Sequence, residues 1–161
     1  MRVELPDEAA TGRLGTRLAQ ALTGGQASPL LVTLEGPLGA GKTSLVRAML
    51  RELGHAGAVR SPTYTLLEPY EFDDLCVVHL DLYRLADPGE LEYLGLEDHF
   101  ASGHVLLVEW PDRAGTALPP ADLTVSLDYA GSGRRGVLVP GSPGGQALLQ
   151  RLGAGSDSTN H

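Results

Sequence analysis

Residues 30–50 read "LLVTLEGPLGAGKTSLVRAML". An apolar run ends at Glu35, three glycines fall within the six residues from Gly36 to Gly41, and a stretch with helical spacing follows. Within it, Gly36-x-x-x-x-Gly41-Lys42-Thr43 matches the phosphate-loop pattern, and each position has its own physical task. The glycines let successive backbone N–H groups curl around phosphate oxygens, and the following helix turns its positive end to the same point. Lys42 reaches for the terminal phosphates, the Thr43 hydroxyl can ligate magnesium, and Ser44 stands beside them. A shuffled chain of this composition would produce the pattern roughly once in 500 trials. Context lowers that further, because the pattern needs a buried strand before it and an amphipathic helix after it. "PLLVTLEG" is apolar through its middle, as expected of a strand covered on both faces. Leu45, Val46, Met49, Leu50 and Leu53 share one helical face, which Gly54 is placed to stop.

The charge distribution points the same way. Eleven of the twelve cationic residues are arginine, and Lys42 is the only lysine. A compact ammonium fits among phosphate oxygens where a planar guanidinium would not substitute. The net charge of −8 is the opposite of the basic footprint by which proteins grip nucleic acid, so any role with RNA calls for a partner, and DNA binding is not expected.

Outward from the glycine turn, strands and helices alternate. "RVEL" predicts a short strand, followed by a helix capped by Asp7 with Ala10, Leu14, Leu18 and Leu22 four apart, ending at Gly24 and Gly25. From "RSPTYTLLEPYEF" to "LCVVHLDLYRL" the β-branched and aromatic residues predict a loop and two strands. Asp87, Pro88 and Glu90 resemble the start of a helix, with Gly95 a weak point in its middle. "HVLLVEW" is a further buried strand, "DLTVSLDYAGSGRRGVLVP" a hairpin turning over residues 131–136, and "SPGGQALLQRLG" a last helix. The pattern predicts a three-layer α/β fold of the P-loop nucleotidase kind, its mainly parallel sheet joined by antiparallel strands near the C-terminus. At 161 residues and 42% hydrophobic content the chain fits a single domain over residues 1–153, with a polar, flexible tail over residues 154–161. No run approaches the length of a membrane span, the start turns acidic where a signal peptide would be apolar, and the lone Cys76 allows no disulfide framework. A soluble, cytoplasmic protein is expected.

Hydrolysis would also need an acid at the end of a strand beside the loop, to hold magnesium directly or through water, and a group to orient the attacking water. "CVVHLD" delivers Asp81 and "HVLLVE" delivers Glu109. Thr63 and Thr65 in "SPTYT" offer hydroxyls in the manner of a nucleotide-ordered loop, and Thr65 equally suits an ordinary strand. Trp110 either caps the core or anchors a partner. His79 alternates with strand residues and reads as a core histidine, and the remaining histidines lack metal spacing.

"GPLGAGKTSLVRAML", "SPTYTLLEPY", "HLDLYRLADPGELEYLGLEDHF" and "LVEWPDRAG", in this order and closely spaced, together resemble the bacterial tRNA threonylcarbamoyladenosine biosynthesis ATPase family, TsaE, over about residues 1–153. The resemblance implies a small magnesium-dependent ATPase that works with the threonylcarbamoyl-transferring enzyme and its inactive paralogue. These partners modify the adenosine beside the anticodon in tRNAs that read codons beginning with A. ATP hydrolysis would support repeated rounds of the partner enzyme rather than the transfer itself. It further implies that Leu38, Gly39, Ala40, Gly41, Lys42 and Thr43 hold the phosphates of ATP, that Thr43 and Glu109 hold magnesium, and that Asp81 assists hydrolysis. Glu8 and Gly133 would lie near the adenine end, and Trp110 near the nucleotide or the partner. Pro37 stands where relatives often carry a polar residue, which should leave the cradle intact because its contacts come from backbone N–H groups further along. Two other functions suit the same loop: a small-molecule kinase, with the paired Arg134 and Arg135 as its lid arginines, and a non-catalytic protein whose docking surface is gated by nucleotide.

Overall fold

Alternation along the strands decides the layering. In β2 (Leu30–Glu35), Leu30, Val32 and Leu34 enter one apolar core while Leu31 enters another on the opposite face of the sheet. The computed structural model describes residues 1–24, 29–59 and 66–157. The expected roles of Thr63 and Thr65, and Gly25 as a helix stop, fall outside the described residues.

Around β2 stand β1 (Arg2–Leu5), β3 (Leu67–Phe72), β4 (Leu75–Asp81), β5 (Val105–Glu109), β6 (Leu123–Ala130) and β7 (Gly133–Pro140), forming one seven-stranded sheet in the order β1-β7-β6-β2-β5-β4-β3. The four central strands β6, β2, β5 and β4 run parallel, so the C-terminal ends of β5 and then β4 lie side by side next to the exit of β2. The C-terminal hairpin β6-β7 is antiparallel as expected, and β1 adds to its outer edge. A second antiparallel pair closes the other edge, where β3 lies against β4. Pro69 lies inside β3, and its missing N–H is tolerated because β3 is an edge strand with one neighbour only.

Helices α1 (Glu8–Thr23), α2 (Lys42–Leu53) and α4 (Pro143–Asp157) cover one face through Leu14, Leu18, Leu45, Met49, Leu148 and Leu152. Each such leucine, taken fully out of water, contributes about 2 kcal/mol. The other face is covered by shorter elements: a 3-10 segment (Pro88–Leu94), α3 (Leu96–Ala101) and a 3-10 turn (Pro111–Ala114), which bury Leu91, Leu96 and Ala114 on Val78, Leu80, Leu106 and Val108. The result is the predicted three-layer P-loop architecture.

Three boundaries differ from expectation. The helix foreseen from Asp87 is broken into a 3-10 segment and α3, because Gly95 takes a left-handed conformation (φ 70°) that an α-helix cannot continue through. The hairpin turns more tightly than foreseen: Ala130 pairs with Gly133, leaving only Gly131 and Ser132 in the loop. Helix α4 runs to Asp157, past the helix end expected at Gly153.

Candidate active site

The glycine turn leaves β2 and enters α2 with Gly36, Gly39 and Gly41 all at positive φ (143°, 80° and 108°). Gly36 is fixed by space as well as by conformation, since a Cβ there would sit 2.1 Å from the carbonyl oxygen of Leu127. The strand, turn and helix thus bring the glycine loop to the N-terminus of a twelve-residue helix, an arrangement suited to phosphate.

Lys42 opens α2 and is 5% exposed. Its Nζ donates to the carbonyl oxygens of Gly36 and, at 3.3 Å, Pro37, and lies 3.7 Å from the centre of the Trp110 ring. Burial pushes its ammonium below the usual lysine range, against the opposing pull of Glu109, Asp81 and Asp112. Thr43 follows, and its hydroxyl donates to Glu109 Oε1 at 3.1 Å, with Oε2 at 3.4 Å.

Asp81 and Glu109 end adjacent parallel strands and are register partners. Glu109 is 2% exposed, and its Oε2 lies 2.6 Å from His79 Nε2. Asp81 is half-buried, and its Oδ1 accepts from the Tyr83 backbone N–H at 3.1 Å. Trp110 leaves β5 in the left-handed region (φ 57°), costly for a non-glycine residue, between Lys42 on one side and Tyr83, 5.0 Å away between ring centres.

These groups line two clefts on either side of the glycine turn. One, of about 240 Å³, gathers Lys42, Thr43, Asp81, Tyr83, Glu109 and Trp110. The other, of about 310 Å³, brings Glu8 from the start of α1 and Gly133 from the start of β7 together with Gly39, Gly41 and Ser44. Glu8, Asp81, Glu109, Trp110, Gly133 and the loop residues from Leu38 to Ser44 therefore lie on the turn or line one of its clefts, Ala40 being buried and Leu38 64% exposed, whereas Arg135 lies outside both clefts and pairs with Glu4. The Thr43 hydroxyl and Glu109 carboxylate are hard oxygen donors of the kind that hold magnesium jointly with phosphate oxygens and water. Among the described residues no three His, Cys, Asp or Glu side chains form a metal centre of their own.

Sequence reasoning missed the contacts that three residues make, Arg134 having been named only as a lid arginine of the kinase reading. His79 is bonded to Glu109 rather than merely packed, and its period-two spacing from Asp81 was the available signal. Tyr129 donates its hydroxyl to the Leu38 carbonyl, and Arg134 donates to the Gly39 carbonyl at 3.3 Å while stacking on the Tyr129 ring at 4.4 Å. No local pattern links the β6-β7 hairpin to a loop ninety residues earlier.

Known proteins resemble this chain over most of its length. The family described as "Threonylcarbamoyl adenosine biosynthesis protein TsaE" matches residues 5–137. The tRNA threonylcarbamoyladenosine biosynthesis protein TsaE of Haemophilus influenzae is 43% identical over 136 residues, covering 84% of this chain and 86% of that protein. Its Bacillus subtilis namesake is 38% identical over 121 residues, 74% of this chain and 75% of that protein. The crystal structure of Bacillus subtilis YdiB superposes with a TM-score of 0.79 at 25% identity, covering 97% of this chain and 95% of that one.

Proposed function

The chain belongs to the TsaE family of threonylcarbamoyl adenosine biosynthesis proteins, and from that premise we propose that it is a magnesium-dependent ATPase supporting threonylcarbamoylation of the adenosine beside the anticodon in tRNA. The observation that carries the reading is the convergence of Thr43 and Glu109 at 3.1 Å beside the glycine turn, with Lys42 and Asp81 lining the same cleft. In this reading the backbone N–H groups from Leu38 to Thr43 and the Lys42 ammonium bind the phosphates, and the nucleoside end lies in the cleft of Glu8, Ser44 and Gly133. Thr43 and Glu109 hold magnesium, which when bound would neutralise charge gathering on the phosphate oxygens. Asp81, at the cleft rim, orients the attacking water, and Trp110 with Tyr83 walls the phosphate side.

Lys42 must exchange its carbonyl partners for phosphate, so its present bonds to Gly36 and Pro37 fit a loop that closes only when nucleotide arrives. The partners in this reading are the threonylcarbamoyl-transferring enzyme and its inactive paralogue, in the cytoplasm, with tRNA held by them rather than by this chain of net charge −8. The test is phosphate release from ATP by the purified chain, alone and with those partners. Magnesium-dependent release that Lys42→Ala abolishes supports the reading. Transfer of the terminal phosphate to a metabolite would replace it with the kinase reading, and normal modification by a hydrolysis-dead Asp81→Asn variant would favour a binding-only role.

A further inference from the structure

The reaction just described makes no use of His79, whose surroundings are unlike those of a packing residue. It is 0% exposed on β4, and its Nε2 meets a carboxylate oxygen of Glu109 at 2.6 Å, inside the protein. Val77 and Leu107 enter the core beneath α1 and α2, so alternation turns His79 and Glu109 to that same face, where Thr43 begins α2. His79 lies opposite Leu107 and Glu109 opposite Asp81, so the imidazole reaches one pleat diagonally along the sheet to the carboxylate. Glu109 is thus held from two sides: Thr43 donates from the helix and His79 from the neighbouring strand.

The second ring nitrogen sharpens the point. A ring that donates to this carboxylate carries a proton on Nε2, and Nδ1 is the nitrogen left over. That Nδ1 is buried and finds no hydrogen-bond partner among the described residues. A leucine would fill the place without an unpaired polar atom, so packing alone does not account for a histidine here.

We infer that His79 is a positioning residue for the carboxylate of Glu109. Its Nε2–H pins Oε2, which fixes the rotation of the carboxylate and keeps Oε1 turned to the Thr43 hydroxyl, the two oxygens assigned above to magnesium. Ligating carboxylates are commonly oriented by such an outer hydrogen bond. The inference rests on that magnesium assignment and extends it by one residue.

Calorimetric titration of ADP into the full chain, once with Mg²⁺ and once in EDTA, separates metal-coupled binding from binding of the nucleotide alone. His79→Leu is expected to lose about tenfold of the tightening that Mg²⁺ gives, with the EDTA affinity unchanged. His79→Gln, whose amide nitrogen can reach the position of Nε2, is expected to recover most of it. Equal behaviour of the Leu and Gln variants would overturn the inference, whether both keep the coupling or both lose it. A wild-type chain whose ADP affinity ignores Mg²⁺ would overturn the magnesium assignment itself. Should His79→Leu fail to fold, nitrogen NMR of the wild-type ring decides: a proton on Nε2 whose signal moves in Glu109→Gln supports the inference, and a proton on Nδ1 alone contradicts it.

Discussion

Lys42 answers two opposed demands. Phosphate recognition needs a charged ammonium at the loop, and folding resists a charge in a nearly enclosed site, which is why burial pushes it below the usual lysine range despite three nearby carboxylates. The folded state therefore holds that proton less tightly than the unfolded chain does. The penalty is present at neutral pH, and stability recovers as pH rises through the depressed value towards the ordinary one near 10.5. Lys42→Met should remove this rise, which melting curves between about pH 8 and 10.5 would reveal as a difference in slope from wild type. The raised Tyr70 and Cys76 titrate with the opposite sign in both proteins, so the difference isolates Lys42. The same variant should lose ATP hydrolysis by about 100-fold or more, measured as phosphate release. Glu109→Gln should cost about 10² to 10³ in turnover while leaving nucleotide affinity in EDTA unchanged. At this scale the sequence was informative where chemistry follows a spacing, as in Gly41-Lys42-Thr43, and silent where it depends on a neighbouring strand, as in the bond from His79 to Glu109.

Between elements, the decisive feature is how the glycine turn is seated. It emerges from β2, is backed by Leu127 of β6, and is gripped at its tip by Tyr129 and Arg134 through the carbonyls of Leu38 and Gly39. These two bonds hold the carbonyls of the loop tip towards the hairpin and so fix the conformation of the turn. Tyr129→Phe should therefore weaken nucleotide binding by up to about tenfold, the equivalent of one hydrogen bond, in a calorimetric titration, with little change in melting temperature. Gly36→Ala should be severe, because its side chain would collide with the Leu127 backbone at a φ that alanine avoids, and a loss of about 3 kcal/mol or more is expected in chemical denaturation. Gly15 serves α1 in a related way: a Cβ there would stand 2.7 Å from that of Ala48, so the glycine permits the close approach of α1 to α2. Strands and long helices were legible because their periodicity is local. Gly95 was legible as a weak point though not as a full break, and the second antiparallel pair at β3 was not legible, since it depends on which edge of the sheet is left open.

As a whole the molecule is a P-loop fold whose two clefts meet at one turn, and its net charge of −8 suits a component that couples nucleotide to a partner rather than one that grips RNA. Binding should show as stabilisation: at a hundredfold excess over Kd, Mg-ATP is expected to add about 2.7 kcal/mol, or roughly 5–10 °C in melting temperature, and Lys42→Ala should abolish the shift. Among the described residues no helix is long and apolar enough to cross a membrane. The phosphate loop alone pointed to nucleotide, the strand-end acids to hydrolysis, and only the family stretches to tRNA, because purpose is not written in the physics of a single cleft. The central claim is tested most directly by counting rounds of tRNA threonylcarbamoylation in a reconstituted mixture of the transferring enzyme, its inactive paralogue, ATP and this chain. The account predicts many rounds with the wild-type chain and no more than about one per transferring enzyme with Glu109→Gln or without the chain; equal yields in all three mixtures would contradict it.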